Sequence, residues 1–183
     1  MVVGCPTIVA TGCPAAPIFF TANLLDRQSD LLVARIDALR LAVRAARARR
    51  PFHIDAWVIL PQYMHCVWTL PHGDADFVGR WWAIKTAFSK SLPRIEARSP
   101  VRVRRGERGI WQRRYWEHTI RDERDDAMHM DYVHFNPVKH GLALTPAAWP
   151  YSTFLRSVAR GLYPSDRAGD GSEIAETGER PDE

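Results

Sequence analysis

The side chains best placed to do chemistry together are a histidine among apolar neighbours and, far along the chain, a tyrosine and an asparagine four residues apart. The first lies in Trp57 to Leu70, where a buried-looking strand enters a turn at Pro61 and a second strand leaves it carrying His65. Side chains two apart on a strand share a face, so Tyr63 and His65 point together while Met64 and Cys66 point away. The second stretch, Met130 to Gly141, carries Tyr132 and Asn136 at i and i+4, one face of a helix. If that helix crosses the strands, an imidazole, a carboxamide and a phenol converge. Such a trio suggests a metal-and-tyrosine site for cutting a nucleic-acid strand.

Taken singly, each residue has a plainer reading. A lone His on a strand is more often a hydrogen-bonded core residue than a ligand, and a helical Tyr more often packs its ring. Asn136-Pro137 alone reads as a helix stop and Gly141 as a turn. The aromatic run Trp111, Tyr115, Trp116 is usually core, and base stacking is the rarer use of such rings. Only their joint order raises the functional reading.

The elements that must position these residues follow from periodicity. Pro17 to Leu25 reads as a strand, after which Ser29 or Asp30 can cap a helix striped by Leu32, Ile36, Leu39, Val43 and Ala46. Arg40, Arg44 and Arg47 flank that stripe, an arrangement that is usually a solvated face. Pro51 ends the helix, and His53 to Leu60 with Met64 to Leu70 form an antiparallel hairpin. Asp74 to Phe77 opens a second helix with Phe77, Trp81, Ile84, Ala87/Phe88 and Leu92 at helical spacing. Pro93 to Gly109 lacks hydrophobic periodicity and reads as an exposed loop or hairpin, and Ile110 to Ile120 as a strand. Asp122 opens a further helix that Pro137 is expected to stop. Trp149 to Tyr163 adds a short C-terminal segment.

Strand–helix–strand–strand–helix–strand is the order of an α+β ferredoxin-like sandwich. The expectation is an antiparallel sheet of four to five strands with helices on one face, plus a C-terminal helical extension. The second sheet face would be left for a ligand. Residues 1–16 are expected to be a disordered leader and a poor signal peptide, 17–168 a single domain, and 169–183 a disordered acidic tail.

Composition narrows the partners. With 183 residues, 46% of them apolar, and seven Trp, the chain can bury a real core without disulfides. No apolar run reaches membrane-spanning length. Three cysteines, Cys5, Cys13 and Cys66, form no metal pattern and suit a reducing, cytoplasmic setting. The formal net charge of +4 conceals an acidic end: Asp170 to Glu183 holds six acidic residues and one Arg. Without residues 170–183 the net is +9, and only Lys85, Lys90 and Lys139 of the basic residues are not Arg. A planar guanidinium suits phosphate, so the body favours a polyanionic partner. A genome rich in G+C would raise the Arg share as well, though not the net charge.

Six stretches, in order, carry a resemblance: Phe19–Asn23, Phe52–Pro61, Met64–Pro71, Trp111–Arg121, Asp131–Gly141 and Gly161–Pro164. Together they resemble the REP-associated tyrosine transposases, within the wider class of single-strand transposases that pair a His-hydrophobe-His motif with one nucleophilic Tyr. The likeness runs from about Phe19 to about Gly169. It implies that Tyr132 is the nucleophile, that His65 is the second motif histidine, and that Asn136 is the helix-borne metal ligand. The ion would be Mg²⁺ or Mn²⁺ and would offset charge gathering on the scissile phosphate. Attack by Tyr132 would leave a 5′-phosphotyrosine and a free 3′-OH, and reversal would rejoin strands without external energy. The implied partner is single-stranded or hairpin DNA at repetitive palindromes, with no membrane and with a monomer or a dimer equally open.

The chain departs from that pattern at Tyr63, where the family has its first histidine. A neutral phenol with a pKa of about 10 is a poor ligand for Mg²⁺ beside an imidazole. Relatives also carry a basic lead-in where Met1 to Ala16 is uncharged, and a Trp where this chain has Arg167. Three readings therefore stand: an active DNA-nicking and joining enzyme, a hairpin-binding relative with impaired catalysis, and an RNA-binding module. Arg113, Arg114 and Arg121 are the candidate DNA contacts.

Overall fold

The computed structural model describes residues 15–96 and 98–164. The expectations for most of the leader, for the acidic tail and for Arg167 lie outside them. Four strands form one antiparallel sheet: β1 (Ile18–Asn23), β2 (His53–Ile59), β3 (Tyr63–Thr69) and β4 (Trp116–Thr119), in the order β2-β3-β1-β4. That order and the antiparallel pairing are those of the expected ferredoxin-like sandwich.

One face is covered by α2 (Ile36–Arg49) and α3 (Phe77–Ser91). Phe20, Ala22, Met64, Cys66 and Trp68 point into this core, meeting Leu39, Ala42, Trp81, Ile84 and Phe88 from the helices. The alternation predicted for the hairpin holds along β3. On β2 a bulge between Ile54 and Ala56 shifts the phase, so Ile54 and Trp57 face the helices while Ala56 and Val58 face the other way. Arg80 locks this layer. It is 1% exposed, grips both carboxylate oxygens of Asp74 at 3.0 and 2.6 Å, and donates to the Pro51 carbonyl at 2.8 Å. That hydrogen-bonded guanidinium holds the Asp74 carboxyl down at about 2.

The second face is not left open. A long helix, α5 (Glu123–Lys139), crosses β2 and β3 there and buries His129, Tyr132, Val133 and Asn136. Phe19, Val58, Leu60, Tyr63, Val67 and Ile120 complete this smaller core. Asp122 caps the helix, its carboxylate accepting the Asp125 N–H at 2.9 Å.

Several expectations need correction. Pro137 does not stop α5; it sits inside the last turn, and the helix runs on to Lys139. The missing N–H removes one bond only, and the final carbonyls are satisfied by His140 N–H on Asn136 at 3.1 Å and Leu142 N–H on Pro137 at 2.8 Å. Gly141, at φ 67°, then turns the chain. The first predicted helix is broken at Arg35 into α1 (Leu31–Ala34) and α2. The strand expected over Ile110 to Ile120 is continuous only at β4, with a lone bridge from Trp111 to Leu24. Between them the chain leaves the sheet, and Tyr115 packs into the α2/α3 core. Within the Pro93–Gly109 loop lies one short helix, α4 (Pro100–Arg104), and Arg108 ties the loop down through Glu96 at 2.6 and 2.7 Å. A last helix, α6 (Phe154–Ala159), follows a 3₁₀ turn at Pro146–Ala148, and Ser152 bridges the free edge of β2 at Val58.

Candidate active site at the interface of β1, β3 and α5

Strand register and helix crossing bring together the side chains singled out in the sequence. His65 projects from the middle of β3 on the face that α5 covers, with the Tyr132 ring 5.0 Å from its own and the Tyr63 ring also at 5.0 Å. Phe19 stacks on its remaining side at 5.5 Å. One turn beyond Tyr132, the Asn136 carboxamide accepts a hydrogen bond from the Tyr63 hydroxyl at 3.0 Å. All four are interior groups: His65 is 1% exposed, Tyr132 2%, Tyr63 6% and Asn136 0%.

Thr21 was not found from the sequence. It stands directly opposite His65 in the β1–β3 register, and its hydroxyl lies 2.8 Å from His65 Nδ1. With Nδ1–H donating to Thr21 Oγ1, the Nε2 lone pair is left bare, the form a metal ion takes. Nε2 has no hydrogen-bond partner among the described residues. Burial, and then the nearby charges of His140 and Lys139, press the His65 pKa down to about 3, so the ring is neutral across the physiological range. Only the register, a property of the folded sheet, could have named Thr21.

The residues can be tested for fit to a divalent ion. His65 offers an orphaned buried nitrogen, and Asn136 an amide whose Nδ2 end has no partner among the described residues. A half-turn of that carboxamide lets Nδ2–H donate to the Tyr63 oxygen and puts Oδ1 at the orphaned end. An imidazole nitrogen and an amide oxygen suit a Mg²⁺- or Mn²⁺-class ion. Two protein donors make a sparser cage than three, and Tyr63 occupies the third place with a phenol that binds Asn136 instead.

A lysine and a histidine mark the mouth. The Lys139 ammonium lies 5.3 Å from the Tyr132 ring centroid, and the His140 ring is 5.9 Å from Tyr63; both residues are exposed. Trp116, 36% exposed, packs edge-on against Phe19 from the same sheet face as Thr21 and His65. Of the aromatic run, then, Tyr115 and Trp111 pack against the core and Trp116 reaches the surface. The candidate DNA contacts Arg113, Arg114 and Arg121 are all exposed, with Arg113 paired to Glu107 at 3.0 Å. Among the described residues no helix is long and apolar enough to cross a membrane.

No protein-family model matches the chain. Individual relatives do. The REP-associated tyrosine transposase of Escherichia coli (strain K12) is 48% identical over 162 residues, covering 88% of this chain and 90% of that protein. A solved structure, described as a REP-associated tyrosine transposase bound to a REP hairpin, superposes with a TM-score of 0.78 at 43% identity, over 98% of this chain and 100% of that one. Identity of that order along nearly the full length, on the same antiparallel sheet, carries the conclusion the six ordered stretches had pointed to: the chain belongs to the REP-associated tyrosine transposases.

Proposed function

We propose that this protein is a hairpin-directed transposase that cuts and rejoins single-stranded DNA at repetitive extragenic palindromes in the cytoplasm. The observation that carries the reading is the convergence of Tyr132, His65 and Asn136 at one point of the α5–sheet interface. Likeness to a tyrosine transposase over most of the chain, and to a homologue bound to a REP hairpin, favours an active enzyme over an impaired hairpin binder.

In this reading the Tyr132 oxygen attacks phosphorus in line. The bond from phosphorus to the 3′-oxygen breaks, the phenolic proton is lost, and the 3′-oxygen leaves as a hydroxyl. The product is a 5′-phosphotyrosine, and attack by another 3′-OH reverses the step. Thr21 holds the His65 ring so that Nε2 faces the reacting phosphate. A divalent ion held by His65 and Asn136 would offset charge on a nonbridging phosphate oxygen. Lys139 adds fixed positive charge beside the nucleophile, and Trp116 offers an exposed ring for a base to stack on. Because Tyr132 is 2% exposed, strand entry requires side chains at the mouth to move. Arg113, Arg114 and Arg121 are proposed to contact backbone phosphate.

The test is to incubate the protein with a labelled palindromic DNA hairpin bearing a single-stranded flank and Mn²⁺, then resolve covalent protein–DNA adduct by denaturing gel. An adduct that Tyr132→Phe abolishes, with hairpin binding retained, supports the proposal. Binding without adduct, converted to cleavage by Tyr63→His, points to the impaired relative. Preference for RNA hairpins would overturn both.

A further inference from the structure

A second cluster of ligand-type side chains lies where β4 meets the start of α5, outside the Tyr132 site. The Asp125 carboxylate is 2.9 Å from His118 Nε2 through one oxygen and 3.0 Å from His129 Nδ1 through the other. One donor atom from each of the three residues lies within 4.8 Å of the other two. The two imidazole rings stack 4.8 Å apart at an interplanar angle of 15°.

We propose that His118, Asp125 and His129 form a binding site for a divalent transition ion of the zinc class, separate from the His65/Asn136 pair. Two imidazole nitrogens and one carboxylate oxygen are a recurrent zinc donor set. Donors around a tetrahedral ion at about 2.0–2.2 Å from the metal stand about 3.3 Å apart, so the contacts at 2.9 and 3.0 Å would open by a few tenths of an ångström while donors up to 4.8 Å apart draw in.

The His129 ring has few competing partners. His129 is 1% exposed, and its Nε2 has no hydrogen-bond partner among the described residues. Its Nδ1 reaches only Asp125, through the carboxylate and through the backbone carbonyl at 2.8 Å. An ion would replace the bond to that carbonyl, and it leaves Nε2 no worse satisfied than before.

The surroundings suit a cation. Phe19 backs the His129 ring at 4.8 Å and keeps that side dry, while Asp125 and His118 are 16% and 22% exposed and leave a route in. Asp122, Glu123 and Asp126 crowd the same helix start, opposing the positive end of the helix dipole. The site would fasten the four-residue edge strand β4 to the helix that presents Tyr132 three residues after His129. Phe19, which touches both His129 and His65, would be held with it.

The experiment uses the full chain after chelator treatment and dialysis, titrated with Co²⁺ as a spectroscopic probe and then displaced by Zn²⁺. Expected is a saturable site with visible d–d bands of four- or five-coordinate cobalt that His65→Gln leaves in place, and a Tm that Zn²⁺ raises. Asp125→Asn and the surface variant His118→Gln should each weaken binding at least about tenfold and remove the Tm rise. His65→Gln, which strips the catalytic pair of its nitrogen, should leave this site intact. The proposal is overturned by the absence of saturable binding, by binding indifferent to both His118→Gln and Asp125→Asn, or by binding lost only in His65→Gln. Asp125 would then be a plain hydrogen-bonded bridge between the two rings.

Discussion

In the proposed mechanism Tyr63 stands where a third metal ligand would be, and replacing it by histidine is the most informative perturbation. The phenol is 6% exposed and donates to an amide that is itself 0% exposed. Its removal strands the end of the Asn136 carboxamide that faces it, a cost of about 1–3 kcal/mol. The smaller imidazole also leaves part of the aromatic volume unfilled, so Tyr63→His should lose about 2–4 kcal/mol of stability in all. Against that, the new ring stands on the same strand face as His65, whose ring centroid is 5.0 Å from the present phenol. A second imidazole raises the donor set from two to three, and Mn²⁺ binding should tighten by at least about tenfold, near 1.4 kcal/mol. Tyr63→Phe separates the two effects, for it keeps the ring, loses only the hydroxyl, and should cost about 1–3 kcal/mol without any gain in metal affinity. Free Mn²⁺ counted by electron paramagnetic resonance, urea unfolding, and the rate of covalent adduct formation on a hairpin substrate together read the outcome. A folded Tyr63→His protein that binds Mn²⁺ no better than the parent would refute the reasoning about Tyr63. A Tyr63→Phe protein of unchanged stability would refute the role given to the bond with Asn136.

Three further outcomes are expected. Thr21→Val removes the hydroxyl that orients His65 and should slow adduct formation by about 10–100-fold at fixed Mn²⁺, with hairpin affinity unchanged; equal rates would show that the ring needs no such partner. Arg80→Met should lower stability by about 2–4 kcal/mol in urea unfolding, less than for a fully buried pair because Asp74 is 33% exposed. For pH, His65 and His134 stay neutral in the folded protein down to about 3 and about 4, both through burial, whereas an unfolded chain takes up protons near 6.5. The unfolded state thus binds more protons below that point, and stability should fall steadily from pH 6.5 toward 4. Unfolding curves at several pH values check this, and His65→Gln should flatten the slope.

The candidate site residues were readable because their spacing reports local geometry. Period two on a strand put Tyr63 beside His65, and an i, i+4 step put Tyr132 and Asn136 on one helix face. Element order was enough for the ferredoxin-like class, since few topologies join such a string without crossing connections. Other features were hidden for physical reasons. The strand at Trp111–Ile120 reads as continuous because its residues suit a sheet, yet Tyr115 gains more by packing among the α2/α3 side chains. The helix at Pro100 has only one turn and no apolar face, so periodicity cannot reveal it. Pro137 suggested a stop because a proline removes a helical bond, a loss easily borne in a last turn whose carbonyls find partners downstream.

By itself, then, the order of residues determined which groups are candidates for the chemistry, which strand or helix face each occupies, and the basic charge that suits a polyanion. Tertiary structure alone decided that Thr21 meets His65, that the Tyr63 hydroxyl takes Asn136, and that His118 reaches across to Asp125 and His129. Those contacts join residues 7 to 73 positions apart, and they arise from strand register and from the line along which α5 crosses the sheet. Both are set by how two apolar faces pack against each other, a property of the assembled core that no local stretch of chain contains.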